Sequence, residues 1–135
     1  HHTAEDVAIA VGQVWDKALG SKAGLNRMWC AQVGGMRVTM DLSNRPCLTH
    51  NLTLDNGVDE MIGGDLSIEM FEHVLDSLVV NARWTVHVEE LEQASSMEEM
   101  VSNVAAALGQ ALYYASAVDC RRAGATASSK GTLSV

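Results

Sequence analysis

The sequence predicts an α/β chain of the two-layer, α+β kind. Three observations carry that prediction. The stretches 36–42 and 84–88 alternate apolar and polar residues strictly, as a strand with one buried face does. Three other stretches repeat apolar residues every three or four positions, as a helix with one buried face does. With 135 residues, 47% of them hydrophobic, the chain is long and apolar enough for one compact core.

Residues 3–19 open the chain as an amphipathic helix. Val7, Val11, Val14 or Trp15, and Ala18 recur at helical spacing, with Gln13, Asp16 and Lys17 opposite. Gly20 and Gly24 bracket the loop that ends it. Residues 25–33 suit a strand, and Gly34 and Gly35 supply a tight turn. The run from Met36 to Leu42 is the clearest strand. Ser43-Asn44-Arg45-Pro46 turns the chain, and residues 47–54 alternate again around Leu48, Leu52 and Leu54. Asp55-Asn56-Gly57 signals a further turn, in a loop running on through Gly63 and Gly64. Asp65 or Ser67 can cap a second helix lined by Phe71, Val74, Leu75 and Leu78. In the strand 84–88, Thr85 and His87 fall on the polar face. Ser95 or Ser96 caps a third helix, with Glu98 and Glu99 in its first turn and a stripe of Val101, Val104, Leu108 and Leu112. From Arg121 a tail rich in Gly, Ala and Ser runs to Ser128-Ser129-Lys130-Gly131. The last six elements read as one self-contained β-β-β-α-β-α unit over 21–135. The helix within 1–20 reads as the end of a preceding unit, and a start at His1 rather than Met fits the expectation of an upstream part.

Nine Lys and Arg against seventeen Asp and Glu leave a formal charge of −8 at pH 7. That balance argues against a nucleic-acid partner and against docking on anionic membranes. No apolar run reaches the roughly 18–20 residues a transmembrane segment needs. Cys30, Cys47 and Cys120 are odd in number, widely spaced and without a C-x-x-C pair, so free thiols in an intracellular, reducing compartment are expected.

Two groups of residues could carry chemistry. At the start of the first helix, His1 and Glu5, and His2 and Asp6, stand four residues apart and share a helix face. Imidazole with carboxylate suits Mn²⁺, Fe²⁺ or Zn²⁺; the plainer alternative is a solvated helix end. Arg27, Arg45, Arg121, Arg122 and Lys130 are five of the nine basic residues, and most adjoin Gly, Pro or Ser-rich turns. Such turns place backbone N–H groups beside a cation, which suits a phosphate, though ordinary surface charge reads the same way. His87, His50 and His73 show no neighbours in sequence that raise them above hydrogen-bonded surface residues.

Taken together, His1-His2-Thr3-Ala4-Glu5-Asp6 with Ala8–Gln13, Asn26-Arg27, Asp41-Leu42-Ser43-Asn44-Arg45-Pro46, Gly64-Asp65-Leu66-Ser67, Ala82–Val88 and Ser128-Ser129-Lys130-Gly131 resemble imidazoleglycerol-phosphate dehydratases. These are manganese-dependent lyases of histidine biosynthesis. The likeness runs in order through essentially the whole chain. It implies a fold of two repeats related to the ribosomal S5 domain, with the last helix of repeat one and all of repeat two present here. It implies two manganese ions that stabilise an imidazolate-like species while a proton and the hydroxyl leave. Carried over residue by residue, His1, His2, Glu5 and His87 match metal ligands, and Glu5 is the candidate catalytic carboxylate. Arg27, Arg45, Ser128 and Lys130 match phosphate contacts. The resemblance also implies large symmetric shells, with sites at subunit interfaces.

The chain departs from the family pattern at definite places. A second His-His-x-x-Glu motif reads Ser95-Ser96-Met97-Glu98-Glu99, which keeps Glu99 as a metal ligand and loses both imidazoles. Asn103 stands for a family Lys, Gln32-Val33 for an acidic pair, and Ala127 for a Pro. Two readings follow. In the first, the chain has lost dehydratase activity and serves as a structural or interaction subunit of a larger assembly, with no metal required. In the second, it is an active manganese-dependent dehydratase that converts imidazoleglycerol phosphate to imidazoleacetol phosphate, as a homo-oligomer.

Overall fold

The structure is a computed structural model that describes residues 2–54 and 61–134. Its elements follow the predicted order. Helix α1 (His2–Leu19) precedes strands β1 (Met28–Val33), β2 (Met36–Asp41) and β3 (Cys47–His50). A two-residue ribbon, β4 (Met61–Ile62) and β5 (Leu66–Ser67), leads into α2 (Ile68–Ala82). Strand β6 (Thr85–Glu90), helix α3 (Met97–Ala115) and a short 3₁₀ turn at Cys120–Arg122 complete the chain. Only the ribbon and the 3₁₀ turn go beyond the pattern read from the sequence. The turn signal at Asp55-Asn56-Gly57 lies outside the described residues.

The four longer strands form one sheet in the order β1-β2-β6-β3, antiparallel except for the parallel pair β3–β6. Helices α2 and α3 cover one face. Met36, Val38 and Met40 of β2 and Val86 and Val88 of β6 point under them and are buried. Arg37, Thr39, Thr85, His87 and Glu89 alternate onto the other face, which no helix among the described residues covers. A two-residue turn at Gly34 and Gly35 joins β1 to β2, with Gly34 at φ +54°. Gly35 has no room for a side chain, because a Cβ there would lie 2.4 Å from the Glu92 carbonyl oxygen.

The helix starts follow the predicted capping chemistry. Ser67 caps α2 by accepting the Met70 N–H, and Ser96 caps α3 by accepting the Glu99 N–H, each at 3.1 Å. On α2 the predicted Phe71 and Leu75 are buried, whereas the buried faces of α1 and, in part, α3 differ from the predicted stripes. On α1, Ala8 and Gly12 are buried while Val7, Val11 and Val14 are exposed. On α3, Ala107, Ala111 and Ala115 are fully buried beside Met100 and Val104, whereas Leu108 and Leu112 are only partly covered. Small side chains let a helix approach its neighbour closely, so the deepest contact falls on alanine and glycine.

Beyond α3 the chain is tied back to the loop after α1. The Asp119 N–H donates to the Gly24 carbonyl at 2.7 Å, and Leu25 bridges Val118. The Asp119 carboxylate accepts the Arg121 backbone N–H and both Nε–H and Nη2–H of its guanidinium, at 2.9–3.0 Å. These Arg121 bonds, side chain first, together with the charges of Arg121 and Arg122, push Asp119 down from an ordinary value of 3.8 to about 2. A carboxylate depressed in the folded state stabilises it above the unfolded value and ceases to as pH falls through the folded value. Asp119→Asn should therefore melt below the wild type above pH 4. The gap should close between about pH 4 and about pH 2, as read by thermal melts across that range. A gap independent of pH would refute this role.

Candidate functional site

Four residues predicted to meet a phosphate come from three separate segments, and the fold brings them together. Arg27, Arg45, Ser128 and Lys130, with Ser129, Thr132, Leu133 and Ser134, line one cavity of about 460 Å³. Arg27 enters from the loop before β1, Arg45 from the β2–β3 turn, and the rest from the tail. Each segment is held by its backbone. The Arg27 N–H donates to the Ala115 carbonyl at 2.8 Å, and the Leu42 N–H donates to the Arg27 carbonyl at 3.0 Å. Ser43 Oγ accepts the Arg45 N–H at 3.0 Å, while Thr85 Oγ1 donates to the Arg45 carbonyl at 2.8 Å. In the tail, Ser128 Oγ accepts the Lys130 N–H at 3.2 Å and the Ser128 carbonyl accepts the Gly131 N–H at 3.0 Å.

The cavity is basic within an acidic protein. Arg27 is clamped: Nε and Nη2 donate to the two Asp41 carboxylate oxygens at 2.7 and 3.0 Å, and Nη1 donates to the Ala127 carbonyl at 2.5 Å. A guanidinium has five N–H groups, so one remains on each Nη, a fork suited to phosphate. Among the described residues no carboxylate lies within ion-pair distance of Arg45 or Lys130. Among the described residues, two cations thus face the cavity without a counter-charge, beside a third that is oriented by one.

The predicted metal ligands are not gathered in the same way. His1 lies outside the described residues. His2 is exposed and Glu5 half-buried in the first turn of α1, which packs on α2. His87 is exposed on the uncovered face of β6, in a groove with Met28, Thr39, Asp41, Thr85 and Glu89. Asp41 lines that groove and also clamps Arg27, so His87 and the basic cavity are neighbours across one ion pair. Glu99 is engaged locally: it accepts the Ser95 N–H at 2.7 Å and the Ser95 hydroxyl, and these bonds lower its pKa, the hydroxyl most. Ser95, Ser96 and Glu99 therefore form a reciprocal cap on α3. Among the described residues, no three His, Cys, Asp or Glu side chains are placed to hold a metal ion. The described donors of a single chain do not by themselves fit a manganese centre.

One further cluster escapes sequence periodicity. His50 of β3 meets Glu72, His73 and Asp76 of α2 around a cavity of about 240 Å³. The Leu52 N–H donates to His50 Nδ1 at 3.2 Å, so His50 Nε2–H donates to Glu72 at 3.0 Å. Both ring nitrogens are occupied, which makes His50 a clasp between β3 and α2. The two residues stand 22 apart, too far for any local pattern to pair them.

A family model for imidazoleglycerol-phosphate dehydratase matches residues 1–123. The dehydratase of Acidithiobacillus ferrooxidans is 36% identical over 139 aligned positions, covering all of this chain and 67% of that protein. That of Streptomyces coelicolor is 38% identical over 137, covering 98% and 68%. A crystal structure of the Staphylococcus aureus dehydratase superposes with a TM-score of 0.79 at 26% identity, covering 88% of this chain and 69% of that one. A Pyrococcus furiosus structure, at 24% identity and TM-score 0.71, shares the fold. The chain spans about two thirds of the length of these relatives. No helix among the described residues is long and apolar enough to cross a membrane. The family match over nine tenths of its length, the identity of its relatives and its fold agree: the chain belongs to the imidazoleglycerol-phosphate dehydratase family.

Proposed function

We propose that the chain takes part in the dehydration of imidazoleglycerol phosphate, holding that substrate by its phosphate in the cavity of Arg27, Arg45, Ser128 and Lys130. The convergence of these residues from three segments carries the reading. Arg27 contributes a fixed fork, Arg45 and Lys130 contribute charge, and Ser128 contributes a hydroxyl donor. Phosphate bound there would place the remainder of the substrate near the sheet face that carries His87. The dehydratase names of the relatives support this activity over a purely structural role.

Manganese would supply the polarisation of the imidazole. Of the donors carried over from the family (His1, His2, Glu5, His87 and Glu99), His2 and Glu5 stand on α1, His87 on β6 and Glu99 on α3, and His1 lies outside the described residues. In this reading a homo-oligomer completes each site from more than one copy. The second reading, a dehydratase-like subunit of a larger assembly without its own catalysis, keeps one observation in its favour. Ser95 and Ser96 replace the second imidazole pair, and with Glu99 they serve the α3 cap.

Titration of the protein with inorganic phosphate, then with imidazoleglycerol phosphate and Mn²⁺, separates these readings. At a hundredfold excess over Kd, a bound ligand adds about 2.7 kcal/mol of stability, a rise of several degrees in Tm. The expected result is a saturable rise with phosphate, together with manganese-dependent formation of imidazoleacetol phosphate. Phosphate binding without product would support the non-catalytic subunit. No rise with either ligand would overturn the binding role.

A further inference from the structure

Behind the basic cavity lies a cation that the phosphate reading does not use. Lys22 is 1% exposed, in the loop between α1 and β1. Its backbone sits at φ +60°, a left-handed conformation unusual for lysine. Its Nζ donates to Asn44 Oδ1 and lies 3.9 Å from the Asp16 carboxylate. Asn44 is itself 8% exposed and left-handed at φ +60°, and its Nδ2 donates to the Leu133 carbonyl at 3.0 Å. Asn44 directly precedes Arg45, and Leu133 belongs to the tail that carries Ser128 and Lys130. Both segments line the cavity.

Burying a lysine is costly. Desolvation is the largest influence on Lys22 and lowers its pKa; Arg83 and Arg27 add to that, while Asp16 and Asp41 oppose it. Apolar residues in place of a whole buried charged contact are often neutral or stabilising, whereas removing the lysine alone leaves Asn44 and Asp16 without their lysine partner. A buried charge that is kept at such a cost, bonded to the residue joining two parts of a cavity, calls for a role besides packing.

We propose that Lys22 is a positioning residue for the anion cavity. Through Asn44 it fixes the turn bearing Arg45 against the tail bearing Ser128 and Lys130. The proposal rests on the phosphate reading of that cavity. Lys22 does not line the cavity; it acts by setting the distance between groups that do. The two ends of the Asn44 amide serve the two sides: the oxygen takes the lysine, the nitrogen holds the tail.

The test compares wild type, Lys22→Met, Asn44→Gly, the double variant and Lys130→Ala. Glycine accepts the left-handed backbone at position 44 and leaves the charge unchanged, so it separates positioning from simple loss of a cation. Each protein is read three ways: Kd for inorganic phosphate, Tm, and hydrogen exchange at the Lys130 and Gly131 amides without ligand. Lys22→Met and Asn44→Gly should each weaken phosphate binding at least fivefold and speed tail exchange, and the double variant should be no weaker than Lys22→Met alone. Lys22→Met should melt below the wild-type temperature, because it leaves the buried Asn44 Oδ1 without its donor. Should Lys22→Met fail to fold, Asn44→Gly decides alone. Weakened binding in Lys22→Met with unchanged binding and exchange in Asn44→Gly would mean a charge effect and overturn the relay. Wild-type affinity in both, with Lys130→Ala weakened, would overturn the relay and leave the phosphate reading standing. Failure of wild type to saturate with phosphate would sink the phosphate reading and, with it, the function assigned to Lys22. The exchange rates would still report whether the tail is held.

Discussion

Replacing Arg27 with alanine should lower stability by about 2–3 kcal/mol and weaken phosphate binding by more than tenfold. The stability loss follows from the pair that would be broken. Arg27 and Asp41 are joined by two short bonds, and their side chains are 16% and 18% exposed. An exposed pair is worth roughly 0–1 kcal/mol, whereas leaving one partner of a buried pair alone costs about 3–5. This pair lies between those cases and nearer the second, and the bond to the Ala127 carbonyl is lost as well. Backbone strain does not enter the difference, because Arg27 sits at φ +75° and alanine would be strained equally. The affinity loss follows from a different part of the group. A hydrogen bond to a charged partner contributes about 1.5–3 kcal/mol, and each 1.4 kcal/mol is tenfold in Kd. Arg27→Lys distinguishes the two effects. It keeps the charge and loses the fork, so it should recover part of the affinity and little of the stability. Urea unfolding and phosphate titration measure both. An Arg27→Ala protein that binds phosphate as the wild type does would remove Arg27 from the site.

The strands are legible because one residue in two faces the core, and burial in β2 follows that alternation without exception. Helix α2 is legible in orientation too, with Phe71 and Leu75 buried, whereas α1 and part of α3 are legible in position but misleading in orientation. Sequence periodicity weights the largest aliphatic residues, and so favours Val7, Val11 and Val14 on α1, and Leu108 and Leu112 on α3. Packing distance favours the smallest, so Ala8, Gly12, Ala107 and Ala111 take the closest contacts. The residues of the basic cavity are legible through the family resemblance, and their convergence is a property of the fold alone. Lys22 carries no such signal, since a lysine in a loop between two glycines reads as solvated. The role proposed for it depends on Asn44, 22 residues away, and on Leu133, 89 residues beyond Asn44. The serines at 95 and 96 show the opposite case. Motif comparison reads them as lost ligands, while local helix chemistry reads them as a cap, and the hydrogen bonds show the cap in place.

Gly12→Val should destabilise the protein by about 3 kcal/mol, in contrast to a gain from Gly109→Ala. Both glycines lie inside helices, where alanine is intrinsically favoured by about 1 kcal/mol. At Gly109, on the exposed side of α3, an added Cβ meets nothing within 4 Å, so the intrinsic gain should appear nearly whole. At Gly12, the Cβ would lie 2.8 Å from the Leu78 carbonyl oxygen, 2.9 Å from the Ala82 nitrogen and 2.9 Å from Asn81 Cβ. Two of these are backbone atoms of α2, which cannot rotate aside. Overpacking of this kind costs about 1–3 kcal/mol, enough to reverse the propensity gain for alanine. Valine adds two methyl groups at the same point and forgoes much of that gain, because its β-branch is restricted in a helix. The consequence reaches the site. Helix α1 is held chiefly by α2, and it carries His2 and Glu5 in its first turn. Displacing it by even a few tenths of an ångström moves both residues relative to the sheet that carries His87. Urea unfolding midpoints should therefore fall in the order Gly109→Ala, wild type, Gly12→Ala, Gly12→Val. A Gly12→Val protein as stable as wild type would mean that α1 does not rest on α2 through this glycine.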